Sequence, residues 1–188
     1  MKPQFKELSG IVKRLADVGS ESAYEELFNL LYHPLKKFAF CMLHSNEEAE
    51  EVAEDVLITL WRKRKSLAEI NNVHVYALII AKNLSLNILK KNSRNKTSSL
   101  DEIDVSFFFD NSTPEQIIID NELKMRLEKA IQSLPPKCQL VFKLAKENNL
   151  SYREIGEVLS ISVKTVDAHL VAATQKLAKI FKSEFQIK

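Results

Sequence analysis

The side chains with chemical potential in this sequence are charged, amide and hydroxyl groups arranged on helix faces. No serine, cysteine or threonine falls in a nucleophile, base and oxyanion pattern, and neither a glycine-rich phosphate loop nor a metal-ligand cluster appears. The expected role is therefore not enzymatic and requires no cofactor. The sharpest local pattern runs from Ser151 to Leu170, where Ile155, Val158, Ile161, Val166 and Leu170 occupy the apolar positions of a helix-turn-helix. Small Gly156 lets the two helices approach closely. Ser162 can cap the second helix and aim the exposed positions of its first turns at a DNA major groove. Ser160 stands in the turn, where a left-handed backbone costs a residue other than glycine some strain.

Charge is segregated along the chain, although the net value is only +2. Arg62, Lys63, Arg64 and Lys65 form one basic run, and Lys82, Lys90, Lys91, Arg94 and Lys96 form a second stretch without an acid. From Thr97 to Leu123 the sign reverses, with Asp101, Glu102, Asp104, Asp110, Glu115, Asp120 and Glu122 unaccompanied by any Lys or Arg. Glu51, Glu54, Asp55 and Ile58 are three or four residues apart and share one helix face, while Val52, Val56, Leu60 and Trp61 turn towards a core.

The elements that must position these groups are helical. Of the 188 residues, 3 are Gly and 5 are Pro, so helix formers dominate and turn punctuation is scarce. Capping boxes are expected at Ser22 with Glu25, Ser45 with Glu48 and Ser151 with Glu154, and Thr113-Pro114-Glu115-Gln116 marks a further start. Apolar periodicity predicts a short first helix closed near Gly19-Ser20, then helices at about 22–44, 46–65 and 72–92, the last lined by Ala77, Ile80, Leu84 and Ile88. Further helices are expected near 114–133, 136–148, 151–158 and 162–182. Between the halves, 92–112 is rich in Asn, Ser, Thr and Asp and reads as a linker, with Phe107, Phe108 and Phe109 expected to pack on one of the domains in preference to docking on a partner.

No apolar run approaches the roughly 18 residues that span a bilayer, and the first ten residues lack a signal-peptide core, so a cytoplasmic protein without membrane insertion is expected. Cys41 and Cys138 belong to no paired-cysteine motif, which argues against a disulfide or a structural zinc. Cys41 with His44 has ligand-like spacing but reads more simply as a buried thiol and a surface imidazole.

Two stretches resemble a known family. Leu134-Pro-Pro-Lys-Cys-Gln-Leu-Val-Phe142 followed by Leu150-Ser-Tyr-Arg-Glu-Ile-Gly156 is similar to the start of region four of the sigma-70 family of RNA polymerase sigma factors. Ala49-Glu-Glu-Val-Ala-Glu-Asp-Val-Leu-Ile-Thr-Leu-Trp-Arg62 and Val73 to Asn83 resemble region two, as found in the extracytoplasmic-function group. The resemblance implies an all-α protein of two small helical domains, region two at 1–95 and region four at 114–188, joined by an acidic flexible linker at 96–113. It implies a polymerase contact at Glu51, Glu54, Asp55 and Ile58. The minus-ten element would be opened and held by Arg62, Lys63, Lys65, Tyr76, Lys82, Asn83, Asn87, Lys90 and Lys91, with a base pocket in the loop 66–72. The minus-thirty-five element would be read by Arg153, Ser162, Lys164, Thr165, Asp167, Ala168, His169 and Ala172. Asp167 and Ile79 depart from the basic residues common at such positions. Implied partners are core RNA polymerase, promoter DNA and an anti-sigma factor. A helix-turn-helix regulator that never enters the polymerase is the competing reading, and a protein-binding adaptor is a third.

Overall fold

The computed structural model describes residues 7–95 and 120–185. Among them the secondary structure is helical: α1 (Leu8–Val18), α2 (Glu21–Leu43), α3 (Asn46–Arg62), a 3-10 turn (Arg64–Glu69), α4 (Val73–Asn95), α5 (Asp120–Gln132), α6 (Pro136–Lys146), α7 (Tyr152–Leu159) and α8 (Val163–Phe185). The expected start at Thr113 and the three adjacent phenylalanines lie outside the described residues.

The helix ends follow local chemistry, with three corrections. Gly19 adopts a left-handed conformation (φ 63°) and donates its amide to the Leu15 carbonyl, closing α1. The chain leaves extended at Ser20, whose hydroxyl accepts from the Ala23 amide at 3.3 Å. Ser20 is therefore the cap of α2, and Ser22 lies exposed in its first turn. At α3 the hydroxyl of Ser45 does accept from the Glu48 amide, but the Glu48 carboxylate accepts from the Asn92 side chain at 2.9 Å and ties α3 to α4. The α-helix also stops at Arg62, short of the expected 65, because the chain tightens into the 3-10 turn. At α7 the reciprocal box of Ser151 and Glu154 is complete.

Packing begins with α2 against α3, where Leu27, Leu31, Leu35, Val56, Leu57 and Leu60 have no accessible surface. Helix α1 lies on the 3-10 turn and on α2, burying Leu15 and Leu67 completely. Helix α4 packs against α2, α3 and α7. Its buried line is His74, Leu78, Ala81, Ser85 and Leu89 together with Ala77, whereas Ile80, Leu84 and Ile88 are half-buried. With neighbours on two flanks, the seam of α4 falls one residue away from the stripe expected for a helix covered on one side. In the second half, α5, α6 and α8 share a small cluster of Ala130, Leu134, Cys138, Ala173 and Leu177. Val141, Leu144, Ile155, Val158, Val166 and Leu170 join the main core of the first half.

The capping geometry predicts that Ser20→Ala lowers stability by about 1 kcal/mol while Ser22→Ala is near neutral, measured by urea unfolding of the two variants side by side.

Candidate nucleic-acid interface

The helix-turn-helix is built on a close backbone approach. A Cβ added at Gly156 would stand 2.8 Å from the Ile161 carbonyl oxygen, so no larger residue fits without moving the backbone. The turn is closed by the Ile161 amide donating to the Gly156 carbonyl at 3.0 Å. Ser160 pays for the sharp reversal with a left-handed backbone (φ 58°), as expected at this position. Ser162 accepts from the Thr165 amide at 3.0 Å and caps α8.

From this fixed start, Val166, Leu170, Ala173 and Leu177 point inward and the opposite face stays open. Ser162, Lys164, Asp167, Ala168 and Ala172 are exposed, as is Arg153 on α7. Two of the expected reading residues point elsewhere. Thr165 is half-buried with its hydroxyl 2.7 Å from that of Ser162, and the half-buried His169 ring lies 3.5 Å from the Cys138 sulfur. Val163 and Val171, not singled out from the sequence, are about half exposed at 50% and 48%. Their spacing of four from Asp167 on either side is the signal that would have found them.

In the first half, Glu51, Glu54, Asp55 and Ile58 are exposed along one side of α3, with Val52, Val56 and Leu60 buried on the other. Trp61 is half-buried beside Tyr24, and the Arg64 guanidinium lies 4.6 Å above its ring. That contact draws Arg64 out of the basic run, leaving Arg62, Lys63 and Lys65 exposed. Lys63 donates to the Tyr76 hydroxyl at 3.1 Å, so the end of α3 and the start of α4 meet at one basic and aromatic corner. Further along α4, Asn83, Asn87, Lys90 and Lys91 are exposed, while Ile79 is half-buried.

Lys82 does not join that open face. It is half-buried and donates to the Ser160 hydroxyl at 3.0 Å, and burial lowers its pKa. A second bond crosses between the halves: Asn72 caps α4 by accepting from the Val75 amide and donates to the Glu154 carboxylate at 2.7 Å. Burial alone would raise the Glu154 pKa, but hydrogen bonds from the Ser151 amide and hydroxyl and from Asn72 hold it below its ordinary value. Beside this pair lies a cavity of about 390 Å³ lined by Leu8, His74, Asn148 and Ser151 among others. On the other flank burial raises the Cys41 thiol pKa, against the opposing pull of Lys143 on α6. His44, expected at the surface, is half-buried, and no cluster of three metal-binding side chains occurs among the described residues.

Among the described residues, an all-helical fold with a capped, outward-facing helix-turn-helix and a separate acidic helix face has the form of a DNA-binding protein with a second exposed surface. Comparison with known proteins narrows this class. The sigma-70 region 2 model matches residues 24–95 and the sigma-70 region 4 model matches residues 124–177. The chain is 24% identical over 178 residues to the ECF RNA polymerase sigma factor SigW of Bacillus subtilis, covering 90% of this chain and 95% of that one. It is also 24% identical over 161 residues to the ECF sigma factor SigE of Mycolicibacterium smegmatis, covering 86% of this chain but 62% of the relative's length. Its fold is similar to that of the sigma factor RpoE of Bartonella quintana, crystallised with the anti-sigma factor NepR, at a TM-score of 0.64 and 18% identity, covering 85% of this chain and 96% of that one. The chain belongs to the sigma-70 family of RNA polymerase sigma factors, in the extracytoplasmic-function group. Transcription regulation, not a metabolic reaction, is the business of that family.

Buried His74 gives the stability of the fold a pH dependence. Burial pushes its pKa down to about 4, against a smaller opposing pull from Glu154. The unfolded chain therefore binds a proton that the fold refuses between about pH 6.5 and 4, so stability is full above that window and falls as the pH drops through it. The expected loss approaches 3 kcal/mol at the acid end. His44, whose pKa burial also lowers, adds a slope of the same sign. Urea midpoints measured from pH 7.5 to 5 should decline, and His74→Leu should flatten most of that decline.

Proposed function

We propose that the chain binds core RNA polymerase and directs it to promoters, with recognition divided between its two halves. Residues 1–95 act as the polymerase-binding and minus-ten domain, 96–113 as an acidic tether and 114–188 as the minus-thirty-five domain. The observation that carries this reading is the exposed face of Glu51, Glu54, Asp55 and Ile58 on a helix whose other side is fully packed. A solvated helix face needs no apolar member, and Ile58 remains 41% exposed among carboxylates. This combination suits a basic partner surface with an apolar centre. A stand-alone helix-turn-helix regulator needs no such second surface and is the less favoured reading.

Arg62, Lys63, Lys65, Lys90 and Lys91 supply charge for the backbone of separated strands, and Tyr76, Asn83 and Asn87 supply stacking and hydrogen bonds for bases. Lys82 joins them once it leaves Ser160. On α8, Lys164, Asp167, Ala168 and Ala172 face the upstream element with Ser162 and Arg153 near phosphates, whereas Thr165 and His169 position the helix. The chain works in the cytoplasm, where polymerase and DNA are. It contributes recognition and leaves bond formation to the polymerase. An anti-sigma factor, as bound to the Bartonella relative, is the natural restraint on its activity.

Run-off transcription with purified core polymerase and genomic fragments tests the whole reading: promoter-specific transcripts are expected. Tight DNA binding without core and no such transcripts would favour the regulator. Reversing the acidic face with Glu51→Lys and Asp55→Lys should weaken core binding by roughly tenfold or more in a titration. Unchanged co-purification with core would reject that surface.

A further inference from the structure

The open face of α8 is unusually poor in positive charge for a helix that meets DNA. Between Val163 and Gln175, Lys164 is its single Lys or Arg, and Asp167 is an acid. What the face does carry is apolar: Val163, Ala168, Val171 and Ala172 are all exposed. None of these side chains is needed to hold the fold, because the inward line of Val166, Leu170, Ala173 and Leu177 already provides the packing. Val171 is the conspicuous member, a β-branched side chain about half open to water two turns into the helix.

Val171 lies on the same side of α8 as Lys164, seven residues and a rise of about 10.5 Å further along the axis, so a major groove that admits this helix face receives both side chains. Ala168, three residues before it, lies on the same side and is too small to hold it away from the groove floor. The groove offers one apolar group for such a surface, the 5-methyl of thymine.

We propose that Val171, flanked by Ala168, is a specificity-determining residue that reads a thymine methyl group in the upstream promoter element. The inference rests on the reading of α8 as the helix that enters that element. Selectivity then comes from van der Waals contact and exclusion of water at one base pair, with Arg153 supplying sequence-independent attraction.

The decisive comparison is chemical. Holoenzyme assembled from core polymerase and the full chain selects upstream elements from a randomised promoter pool, and each selected thymine is then replaced by deoxyuridine, which lacks only the methyl group. Wild-type holoenzyme should lose about three- to fivefold in promoter binding at one position, the effect of burying a single methyl. Val171→Ala holoenzyme should be indifferent to uracil there and should no longer select thymine in the pool. Val171→Thr, which keeps a methyl in the same place, should retain much of the discrimination. Circular dichroism melts matched to wild type establish that the variants are folded, as expected for an exposed site. Equal tolerance of uracil by wild type at every position overturns the proposal, as does retained uracil discrimination in Val171→Ala. If no upstream element is selected while core binding and transcription persist, the reading of α8 itself falls and takes Val171 with it; a selected element without a uracil effect overturns Val171 alone.

Discussion

Helix α4 carries more apolar surface than any one neighbour can cover, and the arrangement of the other helices answers that constraint. Helices α2 and α3 cover one side of it, and α7 of the helix-turn-helix covers another. Leaving Ile80, Leu84 and Ile88 in water would sacrifice on the order of a few kcal/mol of burial. The polar groups at the edge of this contact are matched rather than stranded: Asn72 meets Glu154 and Lys82 meets Ser160. Ile155 and Val158 thus stand in the same core as Leu78 and Ala81.

Local chemistry made much of this fold legible in advance. The capping box at Ser151, the small residue at Gly156 and the cap at Ser162 each act within a few residues, and each is found where the sequence places it. The first cap failed for an equally local reason, since Ser20 and Ser22 are both competent and the left-handed Gly19 decides between them. The stripe on α4 was misplaced for a non-local one: periodicity assumes a single covered side, and only the tertiary partner reveals a second.

The candidate site shows the same division. Exposure of Glu51, Glu54, Asp55, Lys164 and Asp167 follows from spacing alone, because residues three or four apart share a helix face. Thr165 and His169 share spacing with their exposed neighbours, yet a hydroxyl on Ser162 and a thiol on Cys138 lie close enough to take them. Arg64 leaves its basic run for the ring of Trp61 by the same kind of contact. Polar side chains near an element's edge have two outlets, solvent or a neighbour, and the sequence does not record which neighbour will be present.

The apolar seam between α4 and α7 also bears on how the molecule comes apart. Elements that share a core exchange their amide hydrogens through a common opening, so in this arrangement the slowest amides of α7 and of α4 should be protected to a similar depth. Once α7 leaves, α4 keeps only one covered side and the second half keeps only its own packing, and each must then open at its own free energy. A single cooperative unit becomes two weaker ones, and the difference in protection measures how firmly the two halves hold each other.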